Sequence, residues 1–348
     1  MSDAPEKQDS QLRARPGRLA GTGLDPAGKR ALFAQPDDDA RSADSAWDAG
    51  PADVTTIAPR DGAAETGTDE PSSSVVALPR RDAPRAGKRL SDVDHWGRSE
   101  HTRELARRLY DPMYRYWFRV SWEGLENIPA RGGALLVSNH AGAIPADAPA
   151  IMHGVETELG RPVYGLAEHL FKAIPVIGTL CQRGGGVAAH PDNAYRLLHD
   201  EQQLALVFPE GTKGTGKHFS QRYQLARFGR GGFVEIAMRA GVPIVPIAVV
   251  GAEEAMPIVW KSRRLAKMLN LPYVPLTANM LVFGPLGAAL YFPAKFSIRV
   301  LSPLHLDVPA DQERYSRAGV METAEDIRGR IQSALHEMLR ARQSVFGG

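Results

Sequence analysis

Two loops in this sequence carry residues that could transfer a proton, and each directly follows a short apolar run. In the first, the run ALLVS (134–138) leads into Asn139 and His140, and Asp147 follows at the start of a predicted helix. A neutral imidazole can accept a proton from a hydroxyl near pH 7, and a carboxylate on its other nitrogen fixes the tautomer. This pattern predicts a general base, His140, oriented by Asp147. A helix-capping aspartate beside a structural histidine would look the same.

The second loop follows the run LALVF (204–208) and reads Pro209-Glu210-Gly211-Thr212-Lys213. Backbone N–H groups in such a loop can contact a phosphate or a developing oxyanion. Residues 211–217 also fit G-x-x-x-x-G-K, but His218 stands where a nucleotide-binding loop needs a Ser or Thr hydroxyl for Mg²⁺. That substitution argues against an NTPase.

Other enzyme and binding classes have little support in the sequence. No G-x-S-x-G pattern of a serine hydrolase is present, and the histidines have no spacing typical of a metal site. One cysteine, Cys181, excludes an internal disulfide and a cysteine metal cluster. The net charge of +2 does not indicate nucleic-acid binding. We expect no metal and no nucleic-acid partner.

Short apolar runs alternate with helical patterns from about residue 99 onward. Strands are predicted at 134–138, 161–166, 204–208, 243–251 and 296–301, and helices at 99–110, from 147, and at 168–181, 232–241 and 323–342. Asp111-Pro112 is typical of the start of a further helix. This alternation predicts an α/β fold with a mostly parallel mixed sheet flanked by helices.

Residues 1–95 differ in composition from the rest, with only two aromatic residues and many Ala, Asp, Arg, Pro and Ser. Such a segment cannot bury enough apolar surface to offset its ordering entropy, so we predict a disordered tail followed by one domain at 96–345. The basic cluster at 80–89 is either a solvated part of the tail or a contact for anionic lipid.

No apolar stretch is long enough to span a membrane, yet one region suggests contact with its surface. Between Lys267 and Lys295 there is no charged residue, and four prolines in that stretch forbid a continuous helix. Just upstream, basic residues interleave with Trp260 and leucines, as in a helix lying in the interface plane. A buried subdomain behind a charged outer helix is the alternative.

Taken together, the two loops resemble the phospholipid/glycerol acyltransferase superfamily. The family's ordered blocks correspond here to Asn139-His140…Asp147, Phe208-Pro209-Glu210-Gly211-Thr212 and Val245-Pro246-Ile247, and the likeness covers about residues 100–305. The resemblance implies a glycerolipid acyltransferase-like fold. It implies catalysis by His140 and Asp147, and substrate binding by the set Asn139, Glu210, Gly211, Thr212 and Lys213.

Two departures from the family pattern bear on the substrate. Six residues separate His140 from Asp147 instead of the usual four, as in the branch that includes diacylglycerol acyltransferase-like proteins, and Pro145 stands at the usual Asp position. Phosphate-accepting members usually carry an Arg after a Gly-apolar strand, where this chain reads GGVAAH (185–190). Arg183 lies just before it and is a substitute candidate for substrate binding.

The resulting expectation is an O-acyltransferase that moves a fatty acyl group from acyl-CoA, or an acyl carrier thioester, to a lipid hydroxyl. Its partners would be the acyl-CoA co-substrate and a lipid acceptor, with no further cofactor, at the cytoplasmic face of a membrane to which it binds peripherally. A lysophosphatidate or glycerol-phosphate acyltransferase is one alternative. A non-catalytic membrane lipid-binding module is another, favoured if Asp147 cannot reach His140.

Overall fold

The structure, a computed structural model, describes residues 92–167, 175–268, 273–309 and 315–347. The strands are β1 (Ser121–Glu123), β2 (Ala134–Ser138), β3 (Val163–Ala167), β4 (Gly186–Ala188), β5 (Leu204–Val207), β6 (Ile244–Val250), β7 (Ile258–Lys261), β8 (Pro275–Thr277) and β9 (Ser297–Val300). Seven of them form one sheet in the order β1-β9-β6-β2-β5-β3-β4, and β7 and β8 form a separate antiparallel ribbon.

The α-helices are α1 (Glu100–Pro112), α2 (Asp147–Leu159), α3 (Pro175–Arg183), α4 (Pro191–Tyr195), α5 (Thr212–Thr215), α6 (Gly232–Ala240), α7 (Ala252–Ala255), α8 (Arg263–Met268), α9 (Ala278–Phe283) and α10 (Arg317–Ala341). A π-helical turn, Met113–Trp117, continues α1, and a 3₁₀ segment, Gly284–Ala288, follows α9. Within the described ranges, no helix is both long and apolar enough to cross a membrane.

The sheet is mixed but mostly parallel, and helices cover both of its faces. Strand β9 runs antiparallel to β6, whereas every other neighbouring pair in the sheet is parallel. Alternate side chains of β2 enter opposite cores: Leu135 and Val137 pack in the layer with α6 and α10, and Ala134 and Leu136 in the layer with α2. The predicted fold class is confirmed.

Several sequence predictions differ from the structure or lie outside it. Asp111-Pro112 does not start a helix: Pro112 is the last residue of α1, and the chain continues into the π-helical turn. Within the predicted tail, residues 1–91 and their basic cluster lie outside the described residues, but Asp92 is ordered by the Ser99 hydroxyl, which donates to it at 2.6 Å. The first part of the predicted 168–181 helix also lies outside, and α3 begins at Pro175.

Candidate active site

Parallel pairing brings the two predicted loops to the same edge of the sheet. Strands β2 and β5 are neighbours in register, with Val137 opposite Val207, so the residues that follow them leave at adjacent carboxyl ends. Strand β6 lies on the other side of β2 and delivers Gly251 and α7 to the same edge. The crevice outside the carboxyl ends of strands is where open α/β sheets bind ligands.

His140 and Asp147 form a close pair. The Nδ1 atom of His140 lies 3.1 Å from each carboxylate oxygen of Asp147, whose side chain is 0% exposed. The same carboxylate accepts the N–H groups of Ala141 at 2.8 Å and Ala148 at 2.7 Å. Because a carboxylate here can only accept, Nδ1 carries the imidazole proton and Nε2 is the nitrogen that can take a proton from a reactant.

The six-residue spacing is accommodated by a folded loop between His140 and helix α2. Asp147 is the first residue of α2, which aims its carboxylate back at the loop. Gly142 has a φ of +85°, and a Cβ there would lie 3.2 Å from the carbonyl oxygen of Ala252. The loop thus turns tightly against α7, and this turn returns the chain to His140 despite Pro145.

Phe208 holds the histidine ring from one side. The two rings stack with centroids 4.0 Å apart and planes 19° from parallel. Phe208 follows β5 as His140 follows β2, and this placement on neighbouring strands is the signal that could have revealed the contact. From the sequence we predicted Phe208 only as part of a motif, and its role in fixing the imidazole plane was not predicted.

Glu210 is a structural tie between the loops instead of an open substrate ligand. Glu210 is 3% exposed, and its carboxylate accepts the His140 N–H at 3.1 Å and the Ala226 N–H at 2.7 Å. Lys217 Nζ lies 3.2 Å from the same carboxylate. With its carboxylate engaged by these protein donors, Glu210 positions His140, and its binding of substrate stays a prediction.

Lys217, the lysine of the nucleotide-binding-like pattern, is enclosed between two buried glutamates. Its Nζ lies 3.2 Å from Glu210 and 3.3 Å from Glu253. Burial, opposed by Lys217, raises the pKa of Glu253 from 4.5 to about 7. The ammonium group therefore neutralises buried carboxylates, and helix α5 is only four residues long, so this loop is not built to hold a nucleotide phosphate.

The remaining predicted substrate-binding residues fall into two groups. Asn139 is 1% exposed, and its amide donates to the Val249 carbonyl at 3.0 Å and accepts the Val249 N–H at 2.8 Å. Arg183 precedes β4 and so lies at the amino-terminal edge of the sheet, opposite His140. Neither side chain is presented to the site, because one extends the β2–β6 ladder and the other is at the wrong edge.

Gly211, Thr212 and Lys213, in contrast, lie beside His140. Helix α5 packs so closely that a Cβ on Gly214 would lie 2.9 Å from the His140 carbonyl oxygen and 3.1 Å from its Cβ. Lys213 is exposed, and Gly211 and Thr212 are half-buried. These three residues are the part of the predicted substrate-binding set that the structure brings to the histidine.

Two tyrosines missed by the sequence reasoning lie on the Asp147 side of the loop. The Tyr291 hydroxyl donates to the Ile144 carbonyl at 3.3 Å, and burial, with the charge of Asp147 as a smaller cause, raises the pKa of Tyr291 to about 12. Burial raises the pKa of Tyr110 still further, and its hydroxyl has no hydrogen-bond partner within the described part of the chain. Both stay neutral and exclude water from the carboxylate.

This chain is similar in sequence to known proteins. A sequence model of the family described as Acyltransferase matches residues 119–250. A protein of Mycobacterium tuberculosis is 37% identical over 259 residues, which cover 74% of this chain and 72% of that protein. The "DGAT1/2-independent enzyme synthesizing storage lipids" of Bos taurus is 24% identical over 252 residues, 70% of this chain and 71% of that enzyme.

Among solved structures, the 1-acyl-sn-glycerophosphate acyltransferase PlsC of Thermotoga maritima is 22% identical with a TM-score of 0.43, covering 70% of this chain and 84% of that one. The family match spans the His140 loop, the Phe208 loop and the strand β6 beside them. Because that match coincides with the site, and because a relative more than a third identical extends over most of the chain, this chain belongs to the phospholipid/glycerol acyltransferase superfamily and is an acyltransferase.

Proposed function

We propose that the enzyme transfers a fatty acyl group from acyl-CoA, or from an acyl carrier thioester, to the hydroxyl of a glycerolipid, with His140 as general base. The observation that carries this proposal is the contact of His140 Nδ1 with the buried Asp147 carboxylate. This contact leaves Nε2 as a proton acceptor. A non-catalytic module was favoured only if Asp147 could not reach His140, so this alternative loses its main support.

In the proposed step, Nε2 takes the proton of the acceptor hydroxyl as the oxygen attacks the thioester carbonyl. The tetrahedral oxyanion is stabilised by N–H groups of the loops, the C–S bond breaks, and the imidazolium returns the proton to the leaving thiolate. No covalent enzyme intermediate is needed. Asp147 stabilises the imidazolium, and Phe208 and Glu210 fix the position of His140.

We favour a neutral acceptor such as a mono- or diacylglycerol over one that carries a phosphate. The end of β4 is followed by Ala189 and His190 where an arginine would serve a phosphate, and Arg183 lies at the other edge of the sheet. The bovine relative is named for the synthesis of storage lipids, which agrees with a neutral product. A phosphate acceptor remains the alternative, with the exposed Lys213 as a candidate cation for it.

The reaction is proposed to occur at the surface of a membrane, on the cytoplasmic face. Both the acyl chain and the acceptor partition into lipid, so an enzyme bound peripherally meets them there. A thioester donor and a chain with one cysteine fit a reducing compartment.

The test is transfer of label from acyl-CoA to vesicles that contain monoacylglycerol, diacylglycerol or lysophosphatidate. We expect product from the neutral acceptors and a loss of about 10²–10⁴-fold in His140→Ala, the usual contribution of a general base. His101→Ala, which removes an exposed histidine on α1, is the matched control. Normal turnover by folded His140→Ala would refute the assignment of the base, and faster transfer to lysophosphatidate would refute the assignment of the acceptor.

A further inference from the structure

A segment between α7 and β9, described at residues 257–268 and 273–292 and called here the inserted segment, contacts both catalytic loops. The Tyr291 hydroxyl contacts the loop between His140 and Asp147 at the Ile144 carbonyl. The Tyr273 hydroxyl donates to Thr215 Oγ1 at 2.7 Å, at the end of α5. The inserted segment is therefore attached to the loops that carry His140 and Thr215.

The outer surface of the inserted segment presents large apolar side chains to solvent. Leu281 and Val282 are each 64% exposed, and Leu286 is 75% exposed. Phe283 and Leu290 extend the same stretch of chain. Contiguous exposed apolar surface on a folded protein marks an interaction site.

These side chains are displayed by an anchored scaffold, not by a loose loop. Asn279 is fully buried beneath them, and its amide donates to the carbonyls of Ala255 at 3.0 Å and Leu290 at 2.8 Å. Gly287 lies against the Asn279 backbone so closely that a Cβ would be 2.1 Å from its carbonyl oxygen. The buried hydrogen bonds of Asn279 thus hold the exposed leucines in place.

Charge identifies the partner of this surface. From Ala255 to Leu306 the sequence contains no Asp or Glu, whereas it contains six basic residues: Lys261, Arg263, Arg264, Lys267, Lys295 and Arg299. Arg264 and Lys267 are exposed on α8, which follows β7 of the ribbon, while α9 follows β8 of the same ribbon, and Trp260 of β7 is exposed as well. Apolar side chains flanked by Trp and basic residues match a bilayer interface with anionic head groups.

A second copy of the chain fits this surface poorly. A two-fold interface would place the patch against itself and bring two sets of basic residues together with no acidic residue from the segment to pair with them. We propose that Leu281, Val282 and Leu286 insert into the apolar boundary of an anionic bilayer, with Arg264 and Lys267 on its head groups. One consequence, which rests on the proposed function, is that the loop containing Ile144 opens towards membrane lipid.

Binding of the full chain to vesicles tests the surface independently of catalysis. The vesicles are phosphatidylcholine with and without phosphatidylglycerol. We expect Leu281→Ser/Val282→Ser/Leu286→Ser to weaken partitioning by at least about tenfold on both, because three side chains no longer leave water. Arg264→Gln/Lys267→Gln should weaken partitioning about tenfold, and only on the anionic vesicles.

Control variants replace exposed apolar and basic residues elsewhere. Leu180→Ser/Val308→Ser and Arg317→Gln/Arg340→Gln should bind as wild type does. Circular-dichroism melting verifies that each variant is folded. The proposal is overturned if the folded leucine variant binds vesicles normally, or if it only converts a dimer into a monomer in light scattering. His140→Ala should bind vesicles normally, so a failure of the catalytic proposal would leave this result unchanged.

Discussion

Asp147→Asn tests most directly whether the carboxylate sets the proton on His140. Each Asp147 oxygen accepts one backbone N–H, from Ala148 or Ala141, and both oxygens lie 3.1 Å from His140 Nδ1. An amide of the same shape has only one acceptor oxygen. Its NH₂ group can satisfy Nδ1 only if the ring carries its proton on Nε2, and in that tautomer Nε2 cannot accept the proton of a hydroxyl.

The size of the effect follows from these contacts. Loss of the productive tautomer removes most of the general-base contribution, so kcat should fall by about 10²–10⁴-fold, equivalent to about 2.7–5.5 kcal/mol of activation free energy. In either orientation of the amide, its NH₂ faces the backbone N–H of Ala141 or of Ala148. That N–H then has no hydrogen-bond acceptor. That should lower the free energy of unfolding by about 1–3 kcal/mol.

The assay is turnover of labelled acyl-CoA at saturating acceptor, with urea unfolding measured on the same samples. Asp192→Asn is the matched control, because Asp192 Oδ2 lies 3.6 Å from His190 Nδ1 in an exposed pair. It should leave both quantities unchanged. An Asp147→Asn protein that is folded at the assay temperature and has wild-type kcat would show that the pair is structural and that the proton is taken by another group.

Three further predictions concern the residues around the histidine. Phe208→Ala should lower kcat by about 10–100-fold with little change in vesicle binding, since the imidazole loses the ring stacked 4.0 Å away, and Phe208→Tyr should restore it; equal rates for both variants would contradict this. Gly214→Ala should destabilise the protein by about 1–3 kcal/mol in urea unfolding, because its Cβ would lie 2.8 Å from the Glu210 Cβ, whereas Gly329→Ala, with nothing within 4 Å, should not. The folded state raises the pKa of Glu253 from 4.5 to about 7, so its contribution to stability is full below pH 4.5 and is lost as pH rises through 7. Relative to wild type, Glu253→Gln should therefore gain stability as pH rises from about 4.5 to 7, by up to about 1.4 kcal/mol per pH unit, and a pH-independent difference would show that Lys217 keeps the carboxylate ionised.

The strands and the main helices follow from local pattern, and the sequence therefore predicts the layer architecture. Runs such as ALLVS and LALVF are buried on both faces, so their continuous apolar character was sufficient to locate β2 and β5. The edge strands β1 and β4 have three residues each and half-exposed positions, which give no comparable signal. The end of α1 was misplaced because Pro112 is tolerated in its last turn.

The candidate site was predictable in its members but not in their roles. Strand order places His140 and Phe208 side by side, yet only coordinates show that Asn139 and Glu210 turn inward. A polar residue next to a strand end has two physical options, to bind a ligand or to complete the backbone hydrogen bonding, and its type is the same in both cases. The stretch between Lys267 and Lys295 stands out in the sequence by its lack of charge, and its two most exposed leucines, Leu281 and Leu286, lie on α9 and the following 3₁₀ turn. They add to the basic helix on which the sequence placed the interface, where Leu265 and Met268 are exposed as well.

The hydrogen bonds of Glu210 explain why its motif indicates a family more readily than a substrate. The backbone N–H of His140, just after β2, and that of Ala226, in the loop before α6, have no partner in the sheet, and leaving either unpaired in the interior would cost about 1–3 kcal/mol. One buried carboxylate satisfies both, and Lys217 compensates its charge. These contacts lie within the protein and would be the same whichever hydroxyl is acylated, so Glu210 carries no information about the lipid that accepts the acyl group.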